Sequence, residues 1–480
     1  MDHKLPKPIS ILIAFILTAN LLYSQSNTLY FMDMVHQTNY LNPAYQNSCN
    51  GFWGLPALSG VFVEGANSAF DYNDLLHNGE GIRLDSLIID INKVKAQLST
   101  TNYFLAGTQV PIFGLGFWVK NAYFTFDVSN KTRIRLSYPA DLIKLIDGNA
   151  NYIGENNPIT MENIGPSAIN YNEISFGLSK KILHRLTIGG KFKILSGNLN
   201  VQSPGSSVKL YTAEAEDNYA MRLETDLKIN MAGPFSYEFD DQGNISNINP
   251  DSVFKVSQIL SAKNLGMAID FGAIYQLNDK FRLYGSVTDL GFINWKGNAK
   301  SLTQKGTFEF SGLALDSVFS ESDYNELEQL ADSLADFINF SEAASKYTNM
   351  LNTNIYLGAT YDIGNFMNIG ILSRTYFFDN GVHESATFSA NFKPIKWFGA
   401  SLSYSYMNKE YRNIGLGMAV RLGGFQLYFI SDNVNVAFNP KEAKSVRAQI
   451  GLNIYFGCGK RDNFSMMKNK TPKKDTDFMY

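Results

Sequence analysis

Five histidines are available for acid–base or metal chemistry: His3, His36, His77, His184 and His383. They are scattered, and the chain has no G-x-S-x-G elbow, no H-E-x-x-H helix and no phosphate-binding loop. A triad assembled from distant positions leaves no local mark, but nothing here asks for one, and the chain is read as a non-enzyme. FDDQGN (residues 239–244) resembles the opening of a calcium loop without its remaining ligands. A polar turn accounts for it, and no metal or cofactor is expected. Two cysteines, Cys49 and Cys458, lie near opposite ends, in no zinc or redox spacing. They form one disulfide in an oxidising compartment, or they stay as two free thiols. The charges with the clearest pattern are Asp270, Asp289, Asp362, Arg374, Arg421 and Arg447. Each falls on the small, polar face of an alternating segment. Acids and arginines facing one another across an enclosed space either line a conduit or hold a plug in it.

That space has to be built by strands. In Leu265–Phe292 a large apolar residue recurs at every second position: Leu265, Met267, Ile269, Phe271 and Tyr275 share a face, with Ala273. Gly266, Ala268, Asp270, Gly272 and Gln276 share the other, Ile274 being the exception. A period of two is the strand period. SVRAQIGLNIYF, NIGLGMAVR and WFGASLSYSYM alternate in the same way. Runs of about 10 residues suit a tilted membrane-crossing strand.

Loop lengths also sort. Tight links are predicted at Leu422-Gly423 and Ile363–Asn365, and near residues 393–396, 277–279, 214–217, 180–184 and 129–130. Between them run longer connections such as 432–444, 231–264 and 139–171; short connections near 111–113 and 408–411 break the pattern, and the parity still holds across the set. Short turns at one end and long loops at the other describe an outer-membrane barrel. Its greasy faces meet lipid, because unpaired backbone is not tolerated there and the sheet must close. Aromatics near strand ends (Tyr376, Phe377, Trp397, Phe398, Tyr455, Phe456) are expected to mark the membrane borders.

Composition agrees. The 480 residues carry a formal net charge of -3, which excludes nucleic-acid binding driven by bulk charge. Aromatics are 14% and charged residues 18%, against about 25% charged in an average soluble domain. Lys4 and Lys7 followed by ISILIAFILTANLLYS read as a secretory signal peptide over residues 1–24. The expected layout is all-β: a transmembrane antiparallel barrel of 14–16 strands over 57–457. Residues 25–56 form an N-terminal segment acting as a periplasmic or luminal plug. Short helices are expected in the extracellular loops, at 139–146, 250–260 and around Leu327, Leu330, Leu334 and Phe337. A lysine-rich periplasmic tail covers 458–480.

Two stretches carry a resemblance. NYLNPAYQNS, with Asn42, Pro43 and Ala44, resembles the Asn-Pro-Ala element of FadL-like outer-membrane transport proteins and of Bacteroidota type IX secretion barrels, though Tyr45 stands where glycine often follows. EISFGLSKKILHRLTIGGKFKILSGNLNV (residues 173–201) resembles a hairpin of the uncharacterised DUF5723 barrels of Bacteroidota. The resemblance implies about 14 strands, a luminal N-terminal segment and no established substrate. It further implies a conduit for small, hydrophobic molecules in the outer membrane. The alternative is a non-transporting scaffold that binds secretion or envelope proteins through its loops or tail. Expected partners are outer-membrane lipid, a hydrophobic small-molecule ligand and, for the scaffold, a periplasmic or secretion-system protein.

Overall fold

A computed structural model describes residues 27–458 except 79–86, 146–150, 215–218, 240–244, 251–262, 311–336, 338, 379–380 and 408–409. The signal peptide with His3, the tail beyond Cys458, the 251–260 helix, most of the calcium-like turn and Leu327, Leu330 and Leu334 lie outside the described residues.

Fourteen antiparallel strands close into a ring. In chain order they are β1 (Gly51–Gly54 with Val61–Asn67), β2 (Thr101–Val119), β3 (Ala122–Pro139), β4 (Gly165–Leu183), β5 (Leu186–Gln202), β6 (Leu265–Gln276) and β7 (Phe281–Trp295). The other half is β8 (Asn354–Ile363), β9 (Met367–Phe378), β10 (Gly381–Ile395), β11 (Phe398–Met407), β12 (Glu410–Leu422), β13 (Phe425–Ser431) and β14 (Ser445–Phe456). Each pairs with its chain neighbour, and β14 returns to β1, with Val61 opposite Ile450 and Gly51 opposite Phe456. Closure leaves no edge to present unpaired N–H and C=O groups to lipid.

The alternation read in the sequence sets the two surfaces. Leu265, Met267, Phe271 and Tyr275 of β6 are exposed outward, as are Ile450, Leu452 and Phe456 of β14. Asp270, Arg447, Gln449 and Asn453 are buried inward. Ile274, the misfit of its strand, is also buried, because it packs on the chain inside the ring.

The ring has 14 strands, within the expected 14–16. Three expectations need correction. Residues 129–130 are not a turn: Ser129 and Asn130 lie within β3, and the reversal is at Lys120 and Asn121. Residues 111–113 are not a break either. Pro111 has no N–H to give the ladder, so β2 slips register there and continues. The wall also starts earlier than residue 57, because Gly51–Gly54 already pairs with both β14 and β2. Residues 55–60 bulge from β1 before it resumes, with Gly60 at φ +137 beneath the Tyr428 hydroxyl, where a side chain has no room.

At the long-loop end, Ile159–Glu162, Ser207–Thr212, Met221–Ala232, Ala299–Phe310 and Ser341–Ala344 extend the sheet beyond the ring. The expected 139–146 helix is a short 3-10 turn, Ala140–Leu145, and Phe337 packs on Phe308. The first long loop holds two helices not anticipated from sequence, Tyr72–Leu75 and Ile91–Gln97, each capped by an aspartate, Asp71 and Asp90.

At the short-turn end Cys49 and Cys458 are bonded across 409 positions. A crosslink closing so long a loop restricts the unfolded chain strongly, by up to about 5 kcal/mol. Cys49→Ser is expected to lower the heat-induced loss of folded gel mobility by several degrees. Reductant should do the same to the parent and nothing further to the variant.

Candidate functional site

The interior is filled from the short-turn end by residues 27–49. This segment has almost no regular structure beyond two 3-10 turns, Asn27–Phe31 and His36–Tyr40. Its backbone polar groups therefore need partners on the wall. The N–H groups of Asn27 and Thr28 donate to the two carboxylate oxygens of Asp432, both at 2.9 Å, and the Thr28 hydroxyl adds a third bond at 2.6 Å. Gln426 donates to the Met34 carbonyl at 2.9 Å, and Ser286 donates to the Leu41 carbonyl at 2.7 Å. Gln37 and Asn453 exchange amide bonds, each 3.0 Å. His36 stacks on Phe52 at 3.6 Å between ring centres. Tyr30, Phe31, Tyr45, Tyr284 and Tyr356 form one aromatic cluster, with Tyr30 stacked on Tyr356 at 5.2 Å.

Asn42, Pro43 and Ala44 lie directly against the wall. Asn42 is fully buried; its amide donates to the Tyr30 hydroxyl at 3.1 Å, and its carbonyl oxygen accepts from the Ala44 N–H at 3.0 Å. The wall opposite is glycine. A Cβ on Gly189 would overlap the Pro43 carbonyl and come within 2.6 Å of the Ala44 nitrogen. A Cβ on Gly272 would overlap the Asn42 side chain. Glycine is required here for the approach of a second backbone.

Toward the long-loop end the lumen opens into a cavity of about 1020 Å³, counting the part open to solvent. Its floor is a buried ion network. The Lys193 ammonium lies 2.7 Å from Asp270, 2.7 Å from Asp289 and 3.7 Å from Glu173. The Lys131 ammonium lies 2.7 Å from Glu173 and 3.3 Å from Asp289. A register slip around Asp270 and a left-handed backbone at Asp289 (φ 60) aim both carboxylates inward, and the Asp289 N–H donates to Asp270 at 2.7 Å. Bulges of this kind re-aim side chains.

The cavity wall carries arginines on aromatic faces. The Arg133 and Arg374 guanidiniums lie 5.2 and 5.5 Å from the Tyr376 ring centre, and that of Arg135 lies 4.7 Å from the Phe378 ring centre. Tyr376 stacks on Phe378 at 5.8 Å, and Phe378 stacks on His383 at 5.1 Å. Arg374 also donates through Nε and Nη2 to Asn354, at 3.0 and 2.7 Å. A second opening lined by Ser137, Asn163, Ser203 and Asn352 shares Arg135 and Phe378 with the cavity and leads toward the long loops.

The residues singled out in the sequence thus divide. Asp289 and Arg374 line the cavity, Arg447 lines a smaller pocket that adjoins it, and Asp270 lies in the ion network beside Asp289. Asp362 lies near the short-turn end, bound by Arg282 Nη2 at 2.7 and 2.8 Å. Arg421 is at that rim too, donating to Cys49 Sγ and the Lys396 carbonyl, both at 3.2 Å. His36, His77, His184 and His383 occupy four separate places: beneath Phe52, in a loop strand, in the β4–β5 turn and on the cavity wall. Among the described residues no group of three His, Cys, Asp or Glu could hold a metal ion. Of the expected border aromatics, Tyr376 and Tyr455 point inward, because each falls on the polar phase of its strand.

The sequence reading missed Glu64, Lys131, Arg133, Arg135, Glu173 and Lys193. The signal was present: in TFDVSNKTRIRLS, residues 131, 133 and 135 keep the inward phase of Thr125, Asp127 and Ser129. Reading 129–130 as a turn broke that phase and hid the basic row.

Comparison with known proteins gives weak structural likenesses and one family. The Pseudomonas putida toluene transporter TodX is 9% identical, with 86% of this chain and 90% of that chain covered and a TM-score of 0.36. A Pseudomonas aeruginosa FadL homologue is 10% identical, covering 86% and 91%, at 0.32. The Ralstonia pickettii toluene transporter TbuX is 7% identical, covering 88% and 94%, at 0.33. No protein of curated function matches. Residues 43–432 match the model of DUF5723, a family of unknown function, and the chain belongs to that family.

Proposed function

We propose that this barrel is an outer-membrane conduit for small molecules that enter from the long-loop end, bind in the cavity and pass when the luminal segment yields. The observation that carries the reading is the pairing of a cavity toward the long-loop end with a lumen filled, on its short-turn side, by a segment that shares no ladder hydrogen bonds with the wall. Strands bonded to their neighbours cannot open without losing ladder hydrogen bonds. Residues 27–46 are held by side-chain contacts and can move while the wall stays closed. Tyr103, Tyr171, Tyr376 and Phe378 give the cavity faces suited to an apolar ligand body.

The anchor at Asp432 supplies the test. Asp432→Ala removes the acceptor of three hydrogen bonds at the start of the segment, a loss of roughly 1–3 kcal/mol for each buried donor left unpaired. In planar bilayers the purified parent is expected to stay closed or open rarely. The variant should open at least tenfold more often, with matching gains in liposome swelling. If neither this variant nor a barrel lacking residues 27–46 conducts, the conduit reading fails and a scaffold is the better account.

A further inference from the structure

Arg447 projects from β14 into the cavity region beside Glu64, Tyr376 and His383. It is 8% exposed. Its Nη1 points at the sulfur of Met407, and its Nε has no acceptor. A thioether is a weak acceptor. Among the described residues Arg447 makes no ion pair, although Glu64 stands opposite it on β1, and a buried cation without a hydrogen-bonded counter-charge is costly. Arg133, beside it on the same cavity, reaches Glu64 only at 3.4 Å, and its Nε also has no acceptor. The cavity and the smaller pocket that adjoins it hold Lys131, Arg133, Arg135, Arg374 and Arg447 with Glu64, Asp289 and Glu384, and behind them Lys193 pairs with Asp270 and Glu173: six cations and five carboxylates. Arg133, Arg374 and Arg135 lie over the Tyr376 and Phe378 rings, a contact that satisfies no N–H donor.

We infer that the cavity takes a small organic anion with a flat apolar body, an aromatic carboxylate being the simplest member of the class. The carboxylate supplies the acceptor that Arg447 and the Nε of Arg133 lack, in the forked geometry that arginine favours. The ring lies against Tyr376 and Phe378, and against Ile169 and Leu351 at the edge of the cavity. A purely hydrocarbon ligand would leave Arg447 without an acceptor, and an inorganic anion would leave the apolar edge at Ile169 and Leu351 without a partner. This inference rests on the conduit reading for its purpose, but the binding site stands or falls on its own measurement.

The test is calorimetric titration of the purified full chain in detergent with sodium benzoate, benzyl alcohol and sodium sulfate as probes. Benzoate is expected to bind at least tenfold more tightly than either of the others. Arg447→Met should weaken benzoate at least tenfold and leave benzyl alcohol within twofold, while Arg447→Lys retains part of the preference. Equal binding of benzoate and benzyl alcohol to the parent overturns the proposal whether or not the variants fold. So does a folded Arg447→Met that binds benzoate as the parent does. A barrel that conducts after release of the luminal segment yet ignores benzoate sinks the anion site alone. One that binds benzoate and never conducts sinks the conduit alone.

Discussion

Gly189→Val and Gly272→Val are expected to give barrels that conduct steadily where the parent is closed. Both glycines face inward at the place where Asn42, Pro43 and Ala44 lie on the wall. At Gly189 the added carbon meets the Pro43 carbonyl and the Ala44 nitrogen at 2.6 Å. These are backbone atoms, and no side-chain rotation relieves the overlap. At Gly272 it meets the Asn42 side chain, with Pro43 Cδ at 2.9 Å and the Ala44 nitrogen at 3.0 Å. The wall strands are bonded on both sides, whereas the luminal segment is not, so the segment is the part that gives way. Overpacking of this sort costs about 1–3 kcal/mol, and Asn42 loses its bond to Tyr30 as well. Open probability in bilayers should rise by tenfold or more, and a protease added from the short-turn side should gain access to residues 40–46. Gly190→Val is the control. Its Cβ points outward and would meet nothing nearer than the Asp270 carbonyl at 3.6 Å, an ordinary contact. If Gly189→Val stays as closed and as stable as Gly190→Val, the luminal segment does not close the passage.

The second large effect is on stability. Lys193→Met should destabilise the folded barrel by about 3–5 kcal/mol, the usual cost of removing one partner from a buried ion network. Lys193 answers Asp270 and Asp289 at once, and its side chain is 4% exposed. Without it Asp270, with a side chain 1% exposed, loses its only ion-pair partner among the described residues. Asp289 keeps Lys131. Adding Asp270→Asn to the variant should recover a substantial part of the loss, since the stranded charge is then gone. Urea unfolding in lipid vesicles, followed by Trp fluorescence, measures both. Lys305→Ala, which breaks an exposed pair with Asp226 in the extended sheet, should change nothing measurable, as expected for a solvated pair. An unchanged midpoint for Lys193→Met would mean that water or rearranged neighbours already screen these carboxylates.

The strand period, read from residues alone, decided which side chains face lipid and which face the lumen, down to Ile274 as the one large apolar residue on the inward phase of β6. It decided as much because membrane lipid and a polar lumen impose opposite demands on neighbouring residues, and a period of two records both. Loop lengths gave the two ends. What alternation does not encode is which inward residues meet. Lys193 reaches Asp289 across 96 positions and Thr28 reaches Asp432 across 404; such pairs depend on ring size, strand register and the slips at Pro111 and Asp270. The course of residues 27–49 was equally hidden, since a segment without regular structure has no period to read. Its contacts exist only because fourteen strands, closed on themselves, present glycines, serines and an aspartate to it from all sides.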